Sequence, residues 1–294
     1  MSLSLAGLGL FGPPLIPADL HLHTSHSHGK AGTDAMFLAA RIKRLSTIGF
    51  AEHSPRPAGY VYPVDYQDKL TATFPRYVNE VLALSERAAL NGINVLLGLE
   101  ADFIPGQEKF TAALCRSYPF DYIIGGLHFQ GDWGFDFSAE DWKELDLDAR
   151  FAVYAAYYND LCLMCQTRQF QIAAHPDLIK IFSIETFRQW LDTDEALPLI
   201  KKALTAMKDN HMLLEVSSAG LRKPCEEIYP GPRIMALAKE LDLPISFGSD
   251  AHCANTPAYA FKILARYAAS FGYRYSCVPS MGRVKRLPFS APVE

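Results

Sequence analysis

Seven short apolar runs alternate along the chain with longer amphipathic stretches, and that alternation constrains the fold more than any other feature of the sequence. The runs cover residues 18–22, 47–51, 95–99, 122–126, 171–174, 212–216 and 245–248. Each has the length of a strand, and near-continuous apolar character is what a strand buried on both faces requires. Between them lie stretches such as "DAMFLAARIKRL", "FPRYVNEVLALSERAALNG", "FAVYAAYYNDLCLMCQTRQ" and "ALPLIKKALTAMKDN", with helix-like amphipathic patterns. The last two are bounded by capping or breaking residues, among them Asn210. Strands alternating with helices imply parallel βαβ units. With no linker-like gap between units, a single α/β barrel-like domain over 1–294 is predicted, residues 1–17 being an N-terminal extension, in part vector-derived.

The runs end in a consistent chemistry. After the first comes "HLHTSHSH", after the second "EHS" with His53, and the third ends "GLEADF" with Glu100. The fourth leads into "GGLHF" with His128, the fifth into "AHPDLIK" with His175, and the seventh into "GSDAH" with Asp250 and His252. In a β/α barrel the carboxyl ends of the strands converge on one face, so these distant residues are expected to meet there. His21 and His23 are separated by one residue, which points both rings to one side of a strand. The set exceeds the roughly three protein ligands of a single catalytic zinc, so two or three divalent ions are implied. Mixed imidazole and carboxylate ligands suit zinc, iron or manganese. Ions clustered about 3.5–4 Å apart suit phosphoryl transfer, with a water ionised near neutral pH.

Other residues carry secondary expectations. His28, seven positions after His21, is expected to curl back as a ligand, with His26 as the alternative. Asp19, two before His21, is expected to fix the His21 tautomer. Arg222 and Lys223 in "SSAGLRKP" are candidate phosphate-binding cations, and Lys180 in "HPDLIK" is a further one. His211, at the start of a strand, is expected to be structural.

Composition excludes several classes. A net charge of −4 is wrong for a surface that neutralises nucleic-acid phosphates. The apolar N-terminus is broken by Gly and Pro and lacks a basic start, so neither a membrane span nor a leader is expected. Six scattered cysteines make no disulfide framework and suit a reducing cytoplasm, with Cys162 and Cys165 as buried thiols.

Taken together, "DLHLHT", "AEHS", "GLEADF", "GGLHF", "AHPDLIK" and "GSDAH" resemble the polymerase-and-histidinol-phosphatase (PHP) superfamily. "LLGLEADFIPGQE", "HPDLIKIF" and "SSAGLRKPCEEIYP" resemble its histidinol-phosphatase branch. The resemblance implies a distorted (β/α)7 barrel with a trinuclear metal centre. It also implies hydrolysis of L-histidinol phosphate to L-histidinol and phosphate, a step of histidine biosynthesis. On this basis His21, His23, Glu100 and Asp250 would hold a first ion, with Glu100 bridging to a second on His128 and His175. His28, His53 and His252 would hold the third. In relatives the third histidine of the first motif often lies about eight positions after the first. Glu100, Asp250 and His252 are the expected catalytic residues, around a metal-bridging hydroxide that attacks phosphorus in line. An aromatic or acidic contact for the imidazole and amine of the substrate is expected from "FDF" around Asp136 or from Tyr60 and Tyr62.

Overall fold

The computed structural model describes residues 15–62, 66–280 and 282–291, so most of the N-terminal extension lies outside the described residues. The chain begins β1 (Ala18–Leu22), α1 (Thr33–Ile42), β2 (Thr47–His53), α2 (Gln67–Ala89), β3 (Asn94–Asp102), α3 (Glu108–Cys115) and β4 (Tyr122–Gly126). A small hairpin of β5 (Phe129–Gln130) and β6 (Trp133–Gly134) follows, then α4 (Ala139–Lys143), α5 (Leu147–Gln166) and β7 (Ile172–Ala173). The second half runs α6 (Ile184–Leu191), α7 (Ala196–Asp209), β8 (Leu213–Ser217), α8 (Pro232–Glu240), β9 (Ile245–Gly248) and α9 (Phe261–Ser270). It ends in a hairpin of β10 (Tyr275–Ser280) and β11 (Arg283–Pro288). Local chemistry sets several of these boundaries. Asp146 caps α5 by accepting from the Ala149 amide at 2.8 Å, and Pro232 opens α8 where a missing N–H costs nothing.

The seven apolar runs form one parallel sheet in the order β1-β2-β3-β4-β7-β8-β9. The sheet closes on itself where His23 N donates to Ala251 O (2.9 Å) and Ala251 N donates to His21 O (3.1 Å), a parallel bridge between Leu22 and Ala251. The result is the expected distorted seven-stranded β/α barrel.

Side-chain parity divides the core into two layers. Val95, Leu97 and Leu99 of β3 pack outward among helix residues such as Tyr77 and Val81. Leu96 joins the strand residues Ala18, Leu20, Ala51, Tyr122, Ile124, Ile172 and Leu213 in a separate cluster, which is the barrel interior. Tyr122 reaches across that interior, and its hydroxyl donates to Leu20 O at 2.6 Å. Cys277 and Val278 of β10 belong to the same inner cluster. The terminal hairpin therefore plugs the end of the barrel where the strands begin. This plug, like the β5–β6 hairpin, lies outside the seven βα units that the sequence pattern predicts.

One irregularity matters for everything above the plug. Asp19 pairs with Ile48 and Leu22 with Phe50, so β1 carries one extra residue between them. Ala18 and Leu20 face inward, yet Leu22 packs in the outer layer. The bulge reverses the alternation and turns His21 and His23 toward the barrel axis, as bulges beside functional sites commonly do.

Candidate metal centre

At the carboxyl end of the barrel the inward positions change from apolar to ligand-bearing. The parallel register sets His53 opposite Glu100, and Glu100 is buried at the middle of the site. Its Oε1 lies 3.0 Å from His175 Nε2, 3.4 Å from His21 Nε2 and 3.7 Å from His128 Nε2. Its Oε2 lies 2.9 Å from His53 Nδ1 and 3.5 Å from His23 Nε2. One carboxylate thus faces two sets of imidazoles, one with each oxygen.

Three groups of potential ligand atoms result, each with all its atoms within 4.8 Å of one another: His21, His23 and Glu100; Glu100, His128 and His175; His23, His53 and His252. Asp250 Oδ1 stands 3.2 Å from His23 Nε2 and 3.9 Å from His21 Nε2. The His28 ring stacks on His252 at 4.2 Å and on His53 at 4.9 Å. Every residue expected as a metal ligand is therefore in one cluster. His26 is not: its Nε2 pairs with Glu80 Oε2 at 3.0 Å, against the side of α2. His211 is exposed at the turn before β8.

The donor set fits bound cations. His21 Nε2, His23 Nε2, His53 Nε2 and His252 Nε2 are buried without a hydrogen-bond partner. Leaving such a group unsatisfied costs about 1–3 kcal/mol each, and concentrating them at one point marks a place built for another species. Nitrogen and carboxylate donors converging in this way suit zinc, iron or manganese.

Charge tells the same story. Burial would raise the Glu100 pKa, but the neighbouring His21 and His53 hold it well below the usual carboxylate range. Asp250 is held low against burial by His252, His23 and His21. Burial would lower His23 and His128, yet Asp250 and Glu52 push His23 up to about 9 and Asp102 pushes His128 up to about 9. Burial, reinforced by His23, drives His252 down to about 3 and His28 down to about 4. Without a cation, protons on His23 and His128 offset the carboxylates; an imidazole ligand must be neutral. Metal loading near neutral pH is therefore expected to release these protons, and affinity should rise with pH from about 7 to about 9. Calorimetric titration in buffers of differing ionisation enthalpy reads the released protons directly; none released would contradict this charge balance.

Carboxylates behind the rings fix their tautomers. His21 Nδ1 donates to Glu215 Oε1 (2.7 Å), His23 Nδ1 to Glu52 Oε1 (3.2 Å) and His128 Nδ1 to Asp102 Oδ1 (2.5 Å). Each leaves Nε2 free to face the centre, the pattern that raises ligand basicity. Glu215 Oε2 also accepts from the His175 amide at 2.8 Å. Glu215, and not Asp19 as expected from sequence, fixes the His21 tautomer. Because of the β1 bulge, Asp19 instead accepts from the backbone N–H groups of Ser249 (2.9 Å) and Ala258 (2.8 Å), tethering the loop that carries Asp250 and His252.

Two backbone features admit this arrangement. Asp250 (φ 51) and His175 (φ 23) are non-glycine residues with positive φ, a cost of about 1–3 kcal/mol each that surrounding structure must hold. At Gly248 any Cβ would collide with Glu215 Oε1 and come within 2.8 Å of the His21 Cβ. Gly248→Ala, or Glu215→Gln, is expected to weaken metal binding about 10–100-fold by loosening His21. Competition against a chromophoric chelator measures it, and unchanged affinity would exclude the Glu215 role.

The cluster opens onto a cavity of about 320 Å³. Its wall adds Arg56, Tyr62, Tyr66, Asp136, Phe137, Lys223 and Tyr229 to the ligand residues. Of the expected phosphate cations, Lys223 is on that wall, and Lys180 and Arg222 are not. Lys180 is fully buried and its Nζ donates to Asp177 Oδ2 (2.6 Å), Glu227 Oε2 (2.7 Å) and Ile228 O (3.1 Å), which uses all three ammonium protons. Arg222 Nη2 donates to the carbonyls of Ser249 (2.5 Å) and Asp250 (3.1 Å), so it braces the Asp250 backbone. The cations facing the cavity are Arg56, whose Nε donates to Asp102 Oδ2 at 2.6 Å, and Lys223. Lys223 is expected beside Arg222 from its place in "SSAGLRKP", whereas Arg56 carries no such sequence signal. Of the missed carboxylates, Glu215 and Asp102 did leave a signal, a charged residue on the inward parity of a buried strand.

Comparison with known proteins gives the chain a family. A model of the PHP domain matches residues 19–219. A Deinococcus radiodurans protein named a probable histidinol-phosphatase is 36% identical over 238 residues, covering 80% of this chain and 85% of that one. The histidinol-phosphatase of Bacillus subtilis is 27% identical over 261 residues, covering 83% and 96%. Among solved structures, the histidinol phosphate phosphatase of Lactococcus lactis, complexed with zinc, L-histidinol and phosphate, shares the fold. Its TM-score is 0.74 at 18% identity, over 92% of this chain and 98% of that one. With the PHP model matching residues 19–219 and a 36% identical relative covered over 85% of its length, the chain belongs to the PHP family, in its histidinol-phosphatase branch.

Proposed function

We propose that this protein is a metal-dependent phosphomonoesterase that hydrolyses L-histidinol phosphate to L-histidinol and phosphate. The observation that carries this reading is the shared Glu100, which joins fused imidazole groups at the floor of a cavity sized for a small molecule. The names of the relatives support the substrate, and the zinc, L-histidinol and phosphate of the Lactococcus lactis structure support the same chemistry. His21, His23, Glu100 and Asp250 would hold one ion, Glu100, His128 and His175 a second, and His28, His53 and His252 a third. Bound divalent ions supply an ionised water and neutralise charge on the phosphoryl group. The chain's own part is to set that geometry and to add positive charge. Lys223 and Arg56 face the cavity, where a dianionic phosphate would meet them. Asp102 connects the two tasks, because it holds both Arg56 and the ligand His128.

The protein is read as one domain acting on a small phosphate ester, without nucleic acid. Among the described residues no helix is long and apolar enough to cross a membrane. The six cysteines are all unpaired, which suits the cytoplasm. The test is phosphate release from metal-loaded protein offered histidinol phosphate, phosphotyrosine, nucleotides and p-nitrophenyl phosphate. Histidinol phosphate is expected to lead in kcat/KM by at least ~100-fold. Equal rates across the panel would refute the assigned substrate, and no turnover of any ester would refute the phosphatase.

A further inference from the structure

The cavity wall carries three carboxylates among the described residues, Glu100, Asp136 and Asp250. Glu100 and Asp250 stand within the histidine cluster. Asp136 stands apart, on the loop after β6. Its Oδ1 accepts from Tyr62 Oη at 2.7 Å, and among the described residues no Lys, Arg or His lies within ion-pairing distance of it. A carboxylate free of an ion pair would repel a phosphate group in the same cavity, so Asp136 is of no use to that end of the substrate. The wall beside it is aromatic. The Tyr62 ring lies between Phe129 (5.3 Å, 21°) and Phe137 (5.5 Å, 19°), and Phe137 remains 43% exposed. A partly exposed ring next to an unneutralised carboxylate matches a ligand that is aromatic and cationic together. The leaving group of histidinol phosphate has both properties, an imidazole and a primary ammonium.

We propose that Asp136 and Phe137 form the leaving-group subsite, with the substrate ammonium on the Asp136 carboxylate and the imidazole against the Phe137 ring. Tyr62 is the positioning residue, holding Asp136 by its hydroxyl and Phe137 by its ring. This rests on the activity proposed above and adds to it the residues that choose the substrate. A charge-assisted hydrogen bond of this kind is among the stronger polar contacts, and its loss is felt only by substrates that carry the cation.

The test uses metal-loaded wild type, Asp136→Asn, Phe137→Ala and Tyr62→Phe. Asp136→Asn is expected to lower kcat/KM for histidinol phosphate about 10–100-fold. For p-nitrophenyl phosphate, whose leaving group has no ammonium, kcat/KM should stay within about 2-fold, as should metal content and inhibition by inorganic phosphate. Tyr62→Phe and Phe137→Ala should shift the same ratio in the same direction by less. An equal loss on both esters, or no loss on either, would overturn the subsite. Calorimetry with L-histidinol separates this proposal from the activity it rests on. If wild type binds L-histidinol through Asp136 but leaves its phosphate ester intact, the subsite stands and the activity falls. If the ester is hydrolysed while L-histidinol affinity ignores Asp136→Asn, the activity stands and the subsite falls.

Discussion

Replacing Glu100 by glutamine is expected to lower kcat/KM for histidinol phosphate by about three orders of magnitude, ~4 kcal/mol of transition-state stabilisation. Glutamine keeps the volume and one oxygen but loses the charge. Glu100 Oε1 lies within 3.7 Å of three imidazoles and Oε2 within 3.5 Å of two more, so each of its oxygens faces its own set of rings. Burial favours the neutral form of Glu100, and it remains ionised through His21 and His53. An amide at this point removes the anion that two neighbouring ions would share. Initial rates together with elemental analysis check this: both activity and bound metal should fall. A variant with full metal content and less than about tenfold loss would show that Glu100 does not bridge.

Lys180→Met is expected to act on the fold and to leave the substrate alone. Lys180 is one member of a buried network, with Asp177 also fully buried. Asp177 Oδ2 accepts from Lys180 Nζ at 2.6 Å and from Gly231 N at 2.7 Å. Removing the ammonium strands Asp177, and breaking a buried pair in this way costs about 3–5 kcal/mol. Denaturant unfolding should show that loss as a lower midpoint. KM for histidinol phosphate, measured well below the unfolding range, should stay within about 3-fold. Unchanged stability with a large rise in KM would return Lys180 to the phosphate-binding role that its sequence position suggests.

The contrast between these two residues shows what the sequence could and could not reveal. Glu100 was legible because it sits where a buried strand emerges, and barrel topology alone sends such positions to one face. The same holds for His21, His23, His53, His128, His175, Asp250 and His252. Lys180 and Arg222 lie in loops that follow strands, where position along the chain does not say which way a side chain leaves. Both turn toward backbone carbonyls or buried acids and away from the cavity. Asp19 was misjudged for a sharper reason. Strict alternation would have paired it with His21, and a single extra residue in β1 broke the alternation. The hairpin β10–β11 was missed because the strand count was already complete at seven, and an antiparallel plug has no place in the βαβ pattern. Asp136 and Tyr62 were visible as an acid and an aromatic, but only folding shows that they touch.

The central claim is that side chains from six strand ends surround cations. Anomalous diffraction from crystals of the zinc-loaded protein, recorded on both sides of the zinc edge, tests it most directly. The account requires peaks about 2.0–2.2 Å from the nitrogens of His21 and His23 and from Glu100, with a second peak between Glu100, His128 and His175. Zinc found only at surface sites, with these rings facing one another across an empty space, would contradict it.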